Sequence, residues 1–396
     1  MNMRKRLTRI QDQWWGPALY AFGILAILDL TKWLPLRFWG ATSGEHFVDT
    51  KQILNSVQCL DENSNLHSSE FCKTYVYGKT LLKILNLLHL NSSKTGLIGF
   101  IFLGLLSVVL GYVSFKSRIT FSTFLVVIFS PPILLLAERA NFDILMLALV
   151  VSASLLSTRG RHVFSVTLLG LASVFKFYTL PLMFIGAMYA KKRFQKILIM
   201  GASGLITFQI GHEISSSRKL MNPTDAVSYN NGQGFGFNIW AGYLPRFKGF
   251  LPVDNVLTGF AFSGSLLMLI AATTFAYFRT KNFFGSNSTV NNGNLYQLFE
   301  YLLIVHISCY LAGVSIDYRL VFILAATFSF LGARKSVGTG SFERKLLLGL
   351  LLLSLWCSYP SDGLQIIGDI SLSILTLILT FNAVRYRFHD LKRAIK

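Results

Sequence analysis

Charge is scarce in this chain. Only 14% of its 396 residues are charged while 53% are hydrophobic, too little polar surface to enclose a soluble core. No long polar segment breaks the apolar runs, which excludes a separate soluble domain and leaves a single polytopic membrane domain over residues 1–396. No small-residue cleavage site follows the first apolar run, so the segment after MNMRKRLTR reads as a retained first helix rather than a signal peptide. The seven histidines are scattered, and HE at 212–213 has no second histidine at helical spacing, so no zinc or other metal site is legible. Gly232, Gly234 and Gly236 lack a preceding strand and a following helix, which excludes a dinucleotide fingerprint. Acids are fewer than bases, 18 against 37.

Apolar runs are what the chain has in quantity. They place about twelve transmembrane helices, roughly at 17–35, 96–114, 119–136, 141–157, 163–176, 179–190, 197–213, 256–278, 297–316, 318–333, 345–358 and 364–384. The stretch 163–190 could instead be one long helix or a broken re-entrant pair. With the N-terminus inside, the clusters RKR, KSR, RGR, KKR, RK, ERK and the basic tail all fall on cytoplasmic loops. About 23 bases and 4 acids then lie inside and about 14 of each outside. The excess of +19 is therefore topological, and no nucleic acid is needed to explain it. Both termini are expected to be cytoplasmic, in a bacterial plasma membrane.

The polar chemistry collects outside. The first outside loop, 36–95, contains HFVD and a run from Lys79 whose apolar positions 81, 82, 84, 85, 87 and 88 describe an interfacial helix. Asp49 begins a short amphipathic turn there, where an acid is often no more than a helix cap. Cys59 and Cys72 share this loop and are expected to pair in an oxidising compartment, two unpaired thiols being the alternative. The second large outside loop, 214–255, carries aromatics suited to stacking on a sugar ring. Three shorter outside turns read ERANFD (138–143), KFYTLP (176–181) and SIDYRL (315–320). In one reading Arg139, Lys176 and Arg319 only pair with Glu138, Asp143 and Asp317. In the other they converge on an anionic group from the outer leaflet, with Tyr178 and Tyr318 as hydrogen-bonding neighbours. Asn141 and Asp143 open the fourth span, where an acid suits a helix start, and Glu138 is placed to orient Arg139. His306 and Asp29 lie within spans and read as helix–helix contacts.

These stretches together resemble the GT-C superfamily of membrane glycosyltransferases, and within it glycosyltransferase family 87, the polyprenyl-phosphate-mannose-dependent mannosyltransferases and their relatives. The resemblance runs through HFVD, YVYGK, ERANFD, GLASVFKFYTLPL and DYRLVF, from about 15 to 335. ERANFD is similar to the family's Glu-Arg-Gly-Asn-x-Asp, with Ala140 where Gly is usual. KFYTLP is similar to its Lys-x-Tyr hairpin, with Thr179 where Pro is common. The resemblance implies an all-α GT-C-like fold and an inverting transfer, at the outer face, of a sugar from a polyprenyl-phosphate carrier to an acceptor hydroxyl of a glycolipid or glycan. Mannose is the default sugar, with arabinofuranose and glucose open. Asp49 is the implied general base. Arg139, Lys176 and Arg319 are the implied phosphate ligands, and Glu138, Asn141, Tyr178, Tyr318 and Tyr77 further substrate-binding residues. The lipid-linked sugar is a co-substrate and no cofactor is expected; no spacing of carboxylates singles out a metal pair, and dependence on a metal stays open. A transporter or flippase of lipid-linked or anionic substrates, a surface-polysaccharide polymerase and an assembly subunit stand as alternatives.

Overall fold

The computed structural model of the protein describes residues 15–30, 46–61, 79–190, 192–218, 234–235, 292–311, 315–316, 319–334, 342–357 and 362–395. Tyr77, Tyr318, Cys72, most of the 214–255 loop and the expected span 256–278 lie outside the described residues, as do the side chains of Asp29 and Cys59. The chain divides into two compact units, residues 1–129 with 133–227, and residues 130–132 with 228–396.

The first part of the chain runs through α1 (Trp15–Leu30), α2 (Val48–Asp61), α3 (Lys79–Leu87), α4 (Thr95–Lys116), α5 (Phe121–Ile128), α6 (Pro131–Arg139), α7 (Asp143–Thr158), α8 (His162–Phe175), α9 (Pro181–Tyr189) and α10 (Arg193–Arg218). Leu81, Leu82 and Leu85 of α3 are buried and Lys83 is exposed, as expected of an amphipathic helix, while Leu87 and Leu88, expected on the same apolar face, are exposed. Large apolar side chains point outward along α1, α4, α8 and α10, among them Leu19, Ile27, Leu97, Phe164 and Phe208. Such faces suit hydrocarbon rather than water, and the protein is a helical membrane protein. Two described helices, Ser92–Lys116 and Ile367–Arg387, are long and apolar enough to cross a membrane.

The stretch expected to span at 119–136 is broken. Ser130 is followed by Pro131 and Pro132, which cannot donate to the helix before them, and α6 turns from α5 by 58°. If the bent pair is one span, the described residues hold three. The 163–190 stretch is also a broken pair. Its second half, α9, has nine residues, about 14 Å at 1.5 Å per residue, half of the hydrocarbon thickness.

Close approach sets the packing of the first unit. A Cβ at Gly111 of α4 would lie 2.6 Å from the backbone nitrogen of Ala18, so α1 and α4 touch backbone to backbone. A Cβ at Gly99 would lie 2.2 Å from the ring of Phe47, and that ring anchors the residue just before α2.

In the second unit, β1 (Gly234–Phe235), α11 (Gly293–Leu311), β2 (Ser315–Ile316), α12 (Leu320–Ala333), α13 (Phe342–Trp356) and α14 (Asp362–Ile395) follow. The two-residue strands pair antiparallel, Gly234 with Ile316 and Phe235 with Ser315, which joins two stretches that the charge pattern puts on the same side. Arg387 clasps Glu300 through Nε and Nη2, at 2.7 and 2.5 Å, and ties α14 to α11. Buried His306 meets Thr376 at 3.0 Å between the same two helices, the helix–helix contact expected of it. Arg334, just after α12, pairs with Glu343 in the first turn of α13.

Candidate active site

Three stretches of the first unit meet: the start of α2, the junction of α6 with α7, and the junction of α8 with α9. The middle one is ERANFD. Helix α6 ends at Arg139, and Ala140 turns the chain with φ +43°, a left-handed conformation that a Cβ disfavours by about 1–2 kcal/mol. Glycine would take that turn without cost, which is a physical reason for the Gly expected at this place. Asn141 then opens α7, its Oδ1 accepting the backbone N–H of Asp143 at 2.9 Å, so a polar side chain satisfies a helix-start donor.

Helix α2 is sewn to this junction by its first residues. Phe47 N donates to the carbonyl of Glu138 at 2.8 Å, and Thr50 Oγ1 donates to the carbonyl of Ala140. Between them Asp49 turns its carboxylate inward. Arg139 donates to Asp49 Oδ1 from Nε at 2.8 Å, and its Nη2 lies 2.7 Å from the same oxygen. Asn141 Nδ2 donates to Oδ2. Asp49 does sit in the first turn of α2, where the helix dipole favours an acid, but its side chain is committed to the ERANFD stretch 90 and 92 positions away.

The third stretch is KFYTLP. Helix α8 stops at Phe175, Lys176 is extended (φ −148°, ψ 113°), and a 3-10 turn over Phe177–Thr179 leads into Pro181 at the start of α9. Thr179, at the place where Pro is common, donates its hydroxyl to the Lys176 carbonyl at 3.0 Å, a partner for a helix-end acceptor. The break aims Lys176 inward. Its Nζ lies 2.7 Å from Asp143 Oδ1 and donates to Asn141 Oδ1 at 2.8 Å, and Tyr178 donates its hydroxyl to Asp143 Oδ1.

A continuous polar chain results: Arg139, Asp49, Asn141, Lys176, Asp143, Tyr178. Asn141 is its hinge. Both lone pairs of its Oδ1 receive donors and its Nδ2 faces a carboxylate, so only one orientation of the amide satisfies the chain. Exposure falls along it, from 23% for the Arg139 side chain and 9% for that of Asp49 to 1% for Lys176 and 0% for Asp143. Asp49 and Arg139 form the more exposed end. Lys176 and Asp143 form the enclosed end.

Of the residues expected at the site, Asp49, Arg139, Asn141, Lys176 and Tyr178 are brought together. Glu138 is buried beside them and joins through its carbonyl. Arg319 lies in the second unit, as the residue that precedes α12, and Tyr77 and Tyr318 lie outside the described residues. Asp143 is the residue that sequence reasoning left out, because a helix start already accounts for an acid there. The signal for it was the alternative pairing of Lys176 with Asp143, which the structure contains. Lys176 spends its ammonium on Asp143 and Asn141, inside the protein.

An all-helical membrane fold carrying a buried carboxylate that an arginine and an asparagine hold at a helix junction defines a class, the helical membrane enzymes with a polar site at the ends of their helices. The family model of glycosyltransferase family 87 matches residues 75–290, more than half of the chain. The chain belongs to glycosyltransferase family 87, a GT-C-type family, and is a glycosyltransferase. The match takes in ERANFD and KFYTLP and is narrower than the 15–335 over which the motifs run. It begins after Asp49 and ends before Arg319. Asp49 therefore joins the site through contacts, not through the matched segment. No curated protein and no solved structure gives a significant match to the chain.

Proposed function

We propose that the protein is an inverting glycosyltransferase that moves a sugar, mannose by default, from a polyprenyl-phosphate carrier to an acceptor hydroxyl at the outer membrane face, in the synthesis of a cell-envelope glycolipid or polysaccharide. The observation that carries this reading is the carboxylate of Asp49, held between Arg139 and Asn141 of ERANFD. Asp49 is the general base. Three donor atoms address it, and an ionised carboxylate has about four acceptor positions, which leaves one for the hydroxyl that attacks. That hydroxyl gives its proton to Asp49 as its oxygen bonds the anomeric carbon, and the bonding pair of the breaking bond leaves with the carrier phosphate.

Arg139 answers the charge that develops on the phosphate, because cations aligned there stabilise the transition state more than the ground state. A guanidinium that touches both the base and the phosphate keeps the two anions about 6–8 Å apart, two hydrogen-bond lengths plus its own width. Inverting glycosidases flank an anomeric carbon with groups at about the same spacing, roughly 6.5–9.5 Å. Lys176 acts as a positioning residue: it holds Asn141 in the orientation that serves Asp49 and neutralises Asp143. Tyr178 supports Asp143 from the other side. Arg319, Tyr318, Tyr77 and Glu138 keep the substrate-binding parts that their sequence positions give them, within the twelve-helix topology of the charge map.

The test is Asp49→Asn in membranes supplied with a polyprenyl-phosphate sugar. An asparagine at 49 still accepts from Arg139, so the protein is expected to fold, and transfer is expected to fall by about 10²–10⁴-fold. Transfer near the wild-type rate by a folded variant removes Asp49 as the base.

A further inference from the structure

At the far end of α4 from the polar cluster the first unit holds a second feature. Near the cluster the ring of Phe102 of α4 packs edge-on against Phe142, centroids 5.1 Å apart. Ser114 lies twelve positions further along α4, about 18 Å at 1.5 Å per residue. There a cavity of about 290 Å³ opens between the start of α1, the end of α4 and the start of α5, at the small end of the range for ligand sites, about 300–1,000 Å³. Its walls include Tyr20, Phe115, Phe121 and Phe124, and its polar lining includes Ser114 and Arg118. Ser114 is 2% exposed, and its hydroxyl has no hydrogen-bond partner among the described residues, although buried polar groups are paired as a rule.

Arg118 sits in a turn that favours another residue. The N–H of Arg118 bonds the carbonyl of Phe115 and the N–H of Ile119 that of Ser114, the double closure of a Schellman motif whose left-handed position is usually glycine. Arg118 occupies that position with φ +52°. The same closure ends α7, where the N–H groups of Gly160 and Arg161 bond the carbonyls of Ser157 and Leu156. There the left-handed residue is glycine, φ +75°. The closure also follows α3, where the N–H groups of His89 and Leu90 bond the carbonyls of Asn86 and Leu85 and His89 takes φ +51°; of these three left-handed residues Arg118, a permanent cation, lines the cavity. No acid occurs in the stretch between residues 111 and 137. Leu19, Tyr20 and Phe22 beside it are exposed apolar residues.

We propose that this cavity binds an anionic phospholipid, its phosphate on Arg118 and the Ser114 hydroxyl and its upper acyl chain along Tyr20, Phe121 and Phe124. A phosphate accepts from both groups, and the aromatic walls meet methylenes rather than water. The charge map puts this end, with KSR and RGR, on the cytoplasmic side, where anionic lipids collect basic segments. The site stands independently of the transfer reaction.

Full-length protein in a neutral detergent is mixed with phosphatidylglycerol, phosphatidylcholine or inorganic phosphate, and binding is read by native mass spectrometry and thermal shift. One phosphatidylglycerol per chain is expected, its affinity at least tenfold lower in Arg118→Gly and threefold lower in Ser114→Ala. Without lipid, Arg118→Gly is expected to melt at or above the wild-type temperature. Arg118→Gln, which keeps the strained turn and removes the charge, is expected to lose binding to the same degree, so a folding defect in one variant leaves the other to decide. Equal binding of phosphatidylcholine overturns the anionic headgroup. Occupancy by inorganic phosphate at the same concentration overturns the lipid. Undiminished phosphatidylglycerol binding in the Arg118 variants overturns the site.

Discussion

The two ends of the polar chain are built from the same parts and differ in how far water reaches them. At one end Arg139 grips Asp49, side chains 23% and 9% exposed; at the other Lys176 grips Asp143, 1% and 0% exposed. One amide, that of Asn141, touches both. An enclosed ion pair has no solvent to fall back on, so loss of one partner leaves a charge that nothing compensates, at a cost of about 3–5 kcal/mol. A pair that meets the outside can exchange partners and stay solvated, which is what a group that must take a proton from a substrate needs. In the proposed reaction this divides the labour: the Lys176 end sets geometry, and the Asp49 end does chemistry.

The sharpest way to break that division is Asp49→Asn, which is expected to lower transfer by about 10²–10⁴-fold while the melting temperature in detergent stays close to that of the wild type. Lys176→Met is expected to do the reverse first, with stability lower by about 3–5 kcal/mol in chemical unfolding because Asp143 is stranded. Adding Asp143→Asn to Lys176→Met is expected to restore much of that stability, since no charge then remains buried. Activity is expected to stay low in the double variant, because Asn141 has lost the donor that orients it. If the double variant transfers sugar at the wild-type rate, the Lys176 end is scaffolding only. Arg139→Ala is expected to reduce kcat/KM for the lipid-linked donor by tenfold or more and to cost less stability than Lys176→Met, as read by donor titration and thermal shift on the same samples. Ala140→Gly is the smallest change. It is expected to raise stability by about 1 kcal/mol with activity unchanged, because glycine takes φ +43° without a Cβ.

Much of the helical layout was legible in the residue order. Expected spans near 96–114, 141–157 and 318–333 fall on α4, α7 and α12, because a long apolar run has few ways to satisfy its backbone except as a helix. The break at Pro131 and Pro132 was less legible, whereas the one at Lys176 falls where the expected spans 163–176 and 179–190 meet. A window of hydropathy passes over two prolines, and the 119–136 run is apolar on both sides of them. The polar residues were legible as a set of residue types that the charge map puts on one side of the membrane, and the exclusion of Asp143 shows where such reading stops. A local explanation, an acid at a helix start, was sufficient by itself. It outweighed the pairing with Lys176, 33 positions away in KFYTLP, that was one of the two readings of these cations and that the structure contains.

What the sequence by itself determined is the class of protein and the places where helices end, since hydrophobic run length, proline and charge asymmetry act locally. Only the tertiary structure decided which acid meets which base. Asp49 and Arg139 are 90 residues apart, and the contact depends on Phe47 seating against Gly99 and on Ala140 turning left-handed. Burial then ranks the two ion pairs, and no single stretch of sequence contains that ranking, because it is set by what every other helix covers.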